Sequence, residues 1–255
     1  MTWPARKSSS QKAIYVSIEP GLPAHPATPW AVVTGSSSGI GRAIAGHLLG
    51  IGWRVHGLDL APATLTHVNF ESSTLDLSNL NDISRIASHL PPAQALVHAA
   101  GVLRVGTLAQ YAPADAELMW QLHVAAASAL AEAILPGMAE RGNGRVVLIG
   151  SRVSQGMAGR GQYAATKAAL GALARSWASE VAALGVTVNV VSPAATQTSM
   201  LADPSRAASA PRMPPIGRLI QPDEIASLVA FLLSPGAAAI TGQDIAICGG
   251  ASLPR

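Results

Sequence analysis

The stretch Thr34-Gly35-Ser36-Ser37-Ser38-Gly39-Ile40-Gly41, which reads TGSSSGIG, decides the fold. It follows the short apolar run Ala31–Thr34 and precedes the helical periodicity of Ile40–Gly50. Glycines at such a junction permit a tight turn and a close approach of the backbone to a phosphate, and the first N–H groups of the helix attract that anion. A strand, this loop and a helix in that order predict a dinucleotide-binding turn. The alternative is an ordinary Gly-Ser turn.

The alternation of short apolar runs with longer helical periodicities continues toward the C-terminus. It is typical of β-α-β units around a parallel sheet. The predicted strands are Ala31–Thr34, Arg54–Asp59, Ser73–Asp76, Ala95–His98, Arg145–Gly150, Val186–Ser192 and Asp244–Cys248. The predicted helices are roughly Ile40–Gly50, Leu80–Leu90, Pro113–Ala139, Gln162–Leu184 and Pro222–Leu233. The sequence therefore predicts an α/β fold: a single doubly wound Rossmann-type domain, with a seven-stranded parallel sheet and helices on both faces.

The composition fits one globular domain with a tail. Of the 255 residues, 49% are hydrophobic and 12% are charged. Residues 1–29 are rich in Ser and Pro and lack the apolar core of a signal peptide, so we predict a flexible N-terminal tail followed by a catalytic domain over 30–255. Ala194–Ile216 is irregular and leaves the carboxyl end of a predicted strand. A substrate lid at about 194–216 is therefore preferred over a disordered loop.

The excess of basic residues lies at the start of the chain. Arg6, Lys7 and Lys12 account for the whole net charge of +3, and no basic stripe follows them, so nucleic acid is not an expected partner. No uninterrupted apolar stretch of about 20 residues suggests a membrane partner. The lone Cys248 excludes an internal disulfide and favours a reducing, cytoplasmic location. No spacing of His, Asp and Glu suggests a metal site.

An acidic residue follows the glycine loop at a sequence separation typical of dinucleotide-binding turns. Asp59 ends the second predicted strand, 18 residues after Gly41. A carboxylate there could accept both hydroxyls of an adenine ribose and would repel the 2′-phosphate of NADP. Neither Ser38 nor Leu60–Pro62 offers a base to neutralise that phosphate, so the pattern favours NAD over NADP. The alternative is a turn aspartate ahead of Pro62.

A second motif, Tyr163-Ala164-Ala165-Thr166-Lys167, lies within a predicted helix. A spacing of four residues places the phenol and the ammonium on one helix face. An ammonium beside a phenol stabilises the phenolate, which makes the phenol a usable proton donor or acceptor near neutral pH. Lys167 is the only lysine outside the tail, since every other base there is arginine. The alternative is an ordinary i,i+4 pair on a solvated helix.

Together these motifs resemble those of the classical short-chain dehydrogenases/reductases, from about Trp30 to Gly250. The resemblance implies proton transfer by Tyr163, tuning and ribose anchoring by Lys167, and orientation of the substrate oxygen by Ser151. Ser151 lies 12 residues before Tyr163, one fewer than the commonest spacing, and Ser154 is the alternative. His123 occupies the usual place of the asparagine in the family's catalytic tetrad. Either its main-chain carbonyl holds a relay water, which we favour, or its imidazole joins the proton path.

The resemblance also implies a set of cofactor-binding residues. His98 leads a segment, His98-Ala99-Ala100-Gly101, in which the family usually has an asparagine first. Ala194 and Cys248 also depart from the family pattern, at positions that concern packing more than chemistry. The implied cofactor-binding residues are Gly35, Ser37, Ser38, Gly39, Ile40, Gly41, Asp59, Asp76, Leu77, His98, Ala99, Ala100, Gly101, Tyr163, Lys167, Pro193, Thr196 and Thr198.

The implied reaction is hydride transfer between a secondary alcohol and nicotinamide, with NAD as cofactor and a small-molecule alcohol or ketone as substrate. One alternative is an NADPH-dependent carbonyl or 3-oxoacyl reductase, which Asp59 opposes. The other is a non-catalytic dinucleotide-binding scaffold, which has no need of Ser151, Tyr163 and Lys167 together. The family resemblance implies a homotetramer or a homodimer, with the outer faces of the Pro113–Ala139 and Tyr163 helices buried between subunits.

A weaker resemblance concerns the substrate. The segment Ala99–Gly106, AAGVLRVG, and the C-terminal Gln243-Asp244-Ile245 with Gly249-Gly250 are similar to 2,3-dihydro-2,3-dihydroxybenzoate dehydrogenases, which oxidise a cyclic dihydrodiol carboxylate. A substrate carboxylate would pair naturally with arginine. The bases expected near the pocket are Arg104, Arg152 and Arg160, each of which could equally be a solvated surface residue. A sugar, a hydroxy acid, a steroid or another cyclic alcohol remains an open alternative.

Overall fold

The computed structural model describes residues 28–202 and 212–253. Seven strands form one sheet in which every neighbouring pair is parallel. The spatial order is β3-β2-β1-β4-β5-β6-β7, so the chain winds outward from β1 in both directions, as in a Rossmann fold. The strands are β1 (Trp30–Thr34), β2 (Arg54–Asp59), β3 (Phe70–Thr74), β4 (Ala95–His98), β5 (Gly144–Ile149), β6 (Val186–Pro193) and β7 (Asp244–Ile247).

Helices cover both faces of the sheet. They are α1 (Gly39–Gly50), α2 (Leu80–Ala87), α3 (Pro113–Trp120), α4 (Ala126–Glu140), α5 (Gly161–Val181) and α6 (Pro222–Leu233). Along β1, Val32 packs into the cluster formed with α4 and α5, whereas its neighbours Ala31 and Val33 pack into the cluster formed with α1 and α6. Successive side chains of a strand point to opposite faces, so each face has its own apolar core. The predicted fold class is confirmed.

The third strand differs from its prediction. It runs over Phe70–Thr74 instead of Ser73–Asp76. This strand lies at the edge of the sheet and is half exposed, so it has no continuous apolar run to mark it. The apolar residues Leu75 and Leu77 pack into the core just after the strand ends. The edge position explains why the apolar pattern of the sequence predicted a start for this strand that is three residues too late.

The helix predicted over Pro113–Ala139 is interrupted by a π-helical segment, Gln121–Ala125. The N–H of Ala126 bonds to the carbonyl of Gln121, five residues back. Such insertions occur often at functional sites. By length and composition, Pro113–Glu140 could cross a membrane, yet half of its most apolar window is buried inside the protein. We therefore interpret it as a core helix of the fold.

Two predictions of domain organisation fall largely beyond the described residues. Of the predicted tail over 1–29, residues 1–27 lie outside the described part, and so does 203–211 of the predicted lid. The described part of the lid includes the short 3-10 helix Ser199–Ala202. Thr196 forms a parallel bridge with Ile220, which ties this segment to the residues that precede α6. The described ends of the segment therefore lie at the carboxyl edge of the sheet, and its role as a lid stays a prediction.

Candidate active site

The glycine loop joins β1 to α1 at the carboxyl edge of the sheet. A Cβ atom on Gly41 would overlap the carbonyl oxygen of Gly35, so the first turn of α1 approaches the loop more closely than any side chain allows. The N-cap residue Ser38 makes no side-chain hydrogen bond to the helix. The N–H groups of the first turn therefore face the loop without a side-chain cap, which is the arrangement that binds a pyrophosphate.

Asp59 is held by the backbone around it. Its Oδ2 accepts the N–H of Ser37 at 2.9 Å, and its Oδ1 accepts the N–H of Ala61 at 2.9 Å. The carboxylate thus connects the end of β2 to the glycine loop. Each carboxylate oxygen keeps acceptor capacity beyond these bonds. The loop, the helix N-terminus and this carboxylate together fit the pyrophosphate and ribose of a dinucleotide.

The floor of this site is a buried network around His98. The hydroxyl of Thr34 accepts the N–H groups of Ala99 at 3.0 Å and Ala100 at 2.9 Å, which leaves its hydrogen for Nδ1 of His98, 3.1 Å away. Nε2 of His98 then donates to the carbonyl of Leu122, 3.1 Å away in the π-helical segment. Burial and the charge of Lys167 lower the pKa of His98 to about 3. His98 therefore positions the loop after β4 as a neutral imidazole.

Three residues that carry the family resemblance, Ser151, Tyr163 and Lys167, line one cavity near the end of β5. Ser151 accepts the N–H of Val153 at 3.2 Å, so its own hydrogen remains to be donated to a substrate oxygen. Tyr163 and Lys167 lie one turn apart on α5. The Lys167 ammonium lies 5.9 Å from the centroid of the Tyr163 ring. The chemistry expected of Ser151, Tyr163 and Lys167 is compatible with this arrangement.

Lys167 is anchored to the sheet. Its Nζ donates to the carbonyl of Ile149, the last residue of β5, at 2.8 Å, and the residue is only 6% exposed. Burial lowers the pKa of Lys167 from 10.5 to about 7. The charged ammonium is therefore disfavoured in the protein alone, and an anionic phenolate beside it would favour the charged form.

His123 is fully buried and uses both ring nitrogens. Nε2 accepts the N–H of Val102 at 3.0 Å, so Nδ1 carries the hydrogen and donates to the hydroxyl of Thr166 at 2.9 Å. That hydroxyl donates to the carbonyl of Tyr163 at 3.0 Å. Burial, followed by the charges of Lys167 and His98, holds the pKa of His123 well below 6.5. This geometry favours a packed imidazole over a proton carrier.

Gly101 makes the close packing of His123 possible. A Cβ atom at this position would come within 2.9 Å of Nε2 of His123 and 3.5 Å of Nζ of Lys167. The ring of His123 also meets the ring of Tyr163 edge-on, with centroids 5.7 Å apart. His123, Tyr163 and Lys167 therefore share one packed unit beneath the cavity.

A cavity of about 430 Å³ opens over this unit. Its lining brings together many of the predicted residues: Ile40, Ala99, Gly101, His123, Ser151, Arg152, Arg160, Tyr163, Lys167, Pro193, Thr196 and Thr198. Ser154, the alternative to Ser151, is not among them. Arg104 does not line the cavity either, and its guanidinium pairs with Asp115 at 3.4 Å. Arg212, Met213 and Met200, which the sequence analysis missed, also contribute to the lining.

Several predicted cofactor residues also make contacts within the protein. Asp76 accepts the N–H and the hydroxyl of Ser78 in the turn before α2, at 2.9 and 2.7 Å. Leu77 is buried in the core, and Thr196 donates to the carbonyl of Ala194 at 2.9 Å. Any contact of Leu77 with a cofactor would therefore come from its backbone. Among the described residues, no cluster of His, Cys, Asp or Glu could hold a metal ion.

Known proteins resemble this chain over the same region. A family model described as Enoyl-(Acyl carrier protein) reductase matches residues 35–252. The 3-oxoacyl-(acyl-carrier-protein) reductase FabG of Vibrio cholerae is 36% identical, over 86% of this chain and 96% of the relative. FabG of Escherichia coli is 37% identical with the same coverage. A solved short chain dehydrogenase/reductase family protein superposes with a TM-score of 0.81 at 33% identity, covering 87% of this chain and 96% of the other.

Proposed function

The chain belongs to the classical short-chain dehydrogenase/reductase family and is an oxidoreductase acting on CH–OH groups with NAD(P). From this premise we propose that it interconverts a ketone of the 3-oxoacyl type and the corresponding secondary alcohol, with NAD(H) as the preferred cofactor. The observation that carries the proposal is the shared cavity wall formed by Ser151, Tyr163 and Lys167.

The direction and the substrate class rest on the relatives. Both FabG relatives are named as 3-oxoacyl-(acyl-carrier-protein) reductases. These names favour the reductase alternative of the sequence analysis over alcohol oxidation as the main reaction. They also count against a non-catalytic scaffold. The two FabG relatives are not named for a dihydrodiol substrate, and that substrate remains one candidate in the screen described below.

The preference for NAD(H) rests on Asp59. Its carboxylate lies beside the glycine loop, 2.9 Å from the N–H of Ser37, at the end of the strand where the adenine ribose is expected. A 2′-phosphate there would meet this negative charge. Ser38 and Leu60–Pro62 offer no base to compensate.

Each side chain has one task in the proposed reaction. A bound nicotinamide supplies or accepts the hydride. Ser151 donates a hydrogen bond to the carbonyl oxygen, and Tyr163 donates its phenolic proton to that oxygen as it gains negative charge. Lys167 stabilises the resulting phenolate. The buried side chains of His98 and His123 hold the loop after β4 and the helix α5 in position. In the reverse direction Tyr163 accepts the proton of the alcohol.

The test is a turnover screen in both directions. The ketones are 3-oxobutanoyl-N-acetylcysteamine thioester and a set of cyclic ketones, each with NADH and with NADPH; the alcohols include a cyclic dihydrodiol carboxylate, each with NAD and NADP. We expect ketone reduction with NADH to give the highest kcat/KM. Absence of turnover with all substrates and cofactors, or a preference for NADPH, would contradict the corresponding part of the proposal.

We also propose a homotetramer or a homodimer in the cytoplasm. Trp120, at the end of α3, is 46% exposed, and Leu108 and Tyr111 just before this helix are exposed as well. Apolar side chains in such a group are typical of a subunit interface. Light scattering coupled to size-exclusion chromatography gives the mass directly, and a monomer would contradict the proposal.

A further inference from the structure

Three guanidinium groups line the cavity around the catalytic residues. Arg152 directly follows Ser151, Arg160 precedes Tyr163 by three residues at the N-cap of α5, and Arg212 lies ahead of α6 in the chain. We call these three residues the arginine wall. Among the described residues that line the cavity, none is an aspartate or a glutamate. The described lining therefore carries positive charge without negative charge.

Four arginines outside the arginine wall are neutralised by a carboxylate. Arg54, Arg85, Arg104 and Arg218 each pair with a carboxylate of the described chain. Arg152 and Arg212 form no such ion pair with any described residue. Arg160 is only 7% exposed. A cavity whose described charged side chains all carry one sign attracts ligands of the opposite sign, so the arrangement indicates an anionic ligand.

We propose that the arginine wall binds a carboxylate of the substrate, so that the enzyme acts on a free oxo or hydroxy acid. This inference rests on the proposed function, because the carboxylate would enter the same cavity as the reacting ketone. A guanidinium matches a carboxylate through two parallel N–H donors, which gives orientation as well as affinity. The carboxylate would thereby set which face of the ketone meets the nicotinamide.

The position of the wall distinguishes this carboxylate from other anions. The pyrophosphate of the cofactor belongs to the uncapped N-terminus of α1. Arg152 and Arg160 instead come from the segment between Ser151 and Tyr163, the residues that hold the substrate oxygen. An acyl group delivered by a carrier protein is a neutral thioester, and its nearest phosphate lies at the far end of a long linker. A substrate anion that binds the arginine wall must therefore be only a few covalent bonds from the carbonyl carbon that reacts.

The experiment compares acids with neutral esters of the same skeleton. The probes are 3-oxobutanoate with its ethyl ester and 3-oxocyclohexanecarboxylate with its methyl ester, together with the thioester used above. We expect the acids to exceed their esters in kcat/KM by roughly tenfold or more, since hydrogen bonds to charged groups are the strong ones. Equal values for acid and ester in the wild type would overturn the inference.

The variants assign that preference to the wall. Arg152→Gln should raise KM for the acids by roughly tenfold to a hundredfold and leave the esters nearly unchanged. Arg152→Lys should restore part of the preference, and Arg152→Gln with Arg212→Gln should remove more of it. Arg104→Gln is the matched control, because Arg104 pairs with Asp115 outside the cavity, and it should leave both probes unchanged. An equal loss for acid and ester in Arg152→Gln would overturn the inference.

A binding measurement separates the two proposals. The melting temperature of Tyr163→Phe, mixed with NADH, is measured with each acid and with its ester. Stabilisation by the acid alone, lost in Arg152→Gln, supports the carboxylate site even if no ketone is turned over, and only the proposed function then fails. Turnover of esters and thioester with no stabilisation by either acid overturns the inference and leaves the proposed function intact.

Discussion

The carboxylate of Asp59 accepts the backbone N–H of Ser37 at 2.9 Å and so joins the end of β2 to the glycine loop. This bond supports the loop, and in our proposal the same carboxylate repels a 2′-phosphate. We expect wild-type kcat/KM with NADH to exceed that with NADPH by roughly tenfold or more, because like charges brought together cost several kcal/mol. Asp59→Ala should narrow this ratio and also lower the value with NADH. Asp82→Ala, which removes a surface partner of Arg85, is the control and should change neither.

The phenol of Tyr163 carries the proton transfer in the proposed mechanism. Tyr163→Phe removes the hydroxyl and leaves the cofactor loop and Asp59 untouched. We expect kcat to fall by at least about 100-fold, the lower end for loss of a general acid or base. NADH titration by fluorescence should show nearly unchanged binding. Near-normal turnover in this variant would contradict the mechanism.

The burial of Lys167 predicts a pH dependence of stability. The pKa of Lys167 falls from 10.5 to about 7 in the folded protein. Between pH 7 and about 10 the lysine is therefore mostly protonated in the unfolded chain and mostly neutral in the folded protein. The cost of burying the ammonium is therefore full below pH 7 and fades as the pH rises toward 10. Lys167→Met should melt above the wild type at pH 6.5, and the difference should shrink by pH 9.5. A difference that grows with pH would refute this assignment.

His123 is expected to act through packing. His123→Asn should keep kcat within about tenfold of the wild type, because a side-chain amide can still accept the N–H of Val102, and the pH–rate profile should keep its limbs. His123→Leu, which cannot accept that bond, should lose more activity and stability. Loss of a separate limb near neutral pH in His123→Asn would instead show that the imidazole carries protons.

Gly101 offers a steric test of the packed unit. In Gly101→Ala the new methyl group would come within 2.9 Å of Nε2 of His123. We expect a loss of about 1–3 kcal/mol in the free energy of unfolding, the usual range for overpacking, together with reduced kcat. Gly50→Ala is the control, since a Cβ atom there has no neighbour within 4 Å, and it should be neutral or slightly stabilising. Chemical denaturation measures both variants.

The sequence predicted those parts of the fold whose residues are buried on both faces. The bounds of β2 and β4 agree with the structure, and both are inner strands whose central residues are buried. The edge strand β3 was placed too late because its half-exposed residues carry no such run. The π-helical segment was missed because one extra residue in a long helix barely changes an apolar periodicity.

The candidate site was predictable where chemistry follows a fixed spacing along one element. The pair of Tyr163 and Lys167 is of this kind, as is the turn from β1 into α1. Arg104 is not among the residues that line the cavity, and sequence proximity to the loop after β4 does not reveal its partner Asp115. Arg212 was missed because it follows an irregular stretch without periodicity. The network of Thr34, His98 and Leu122 joins residues far apart in sequence, so no local pattern could show it.

The lowered pKa of buried Lys167 also allows a chemical reagent to label the active site. From residue 13 onward it is the only primary amine on a side chain, and its pKa of about 7 leaves a sizeable nucleophilic fraction at neutral pH. A small acylating reagent such as acetic anhydride, applied to a chain that begins after the tail, therefore has two targets, the new amino terminus and this lysine. Intact-mass spectrometry then turns the second acetyl group into a gauge of cavity occupancy, since any ligand that covers Lys167 slows that addition.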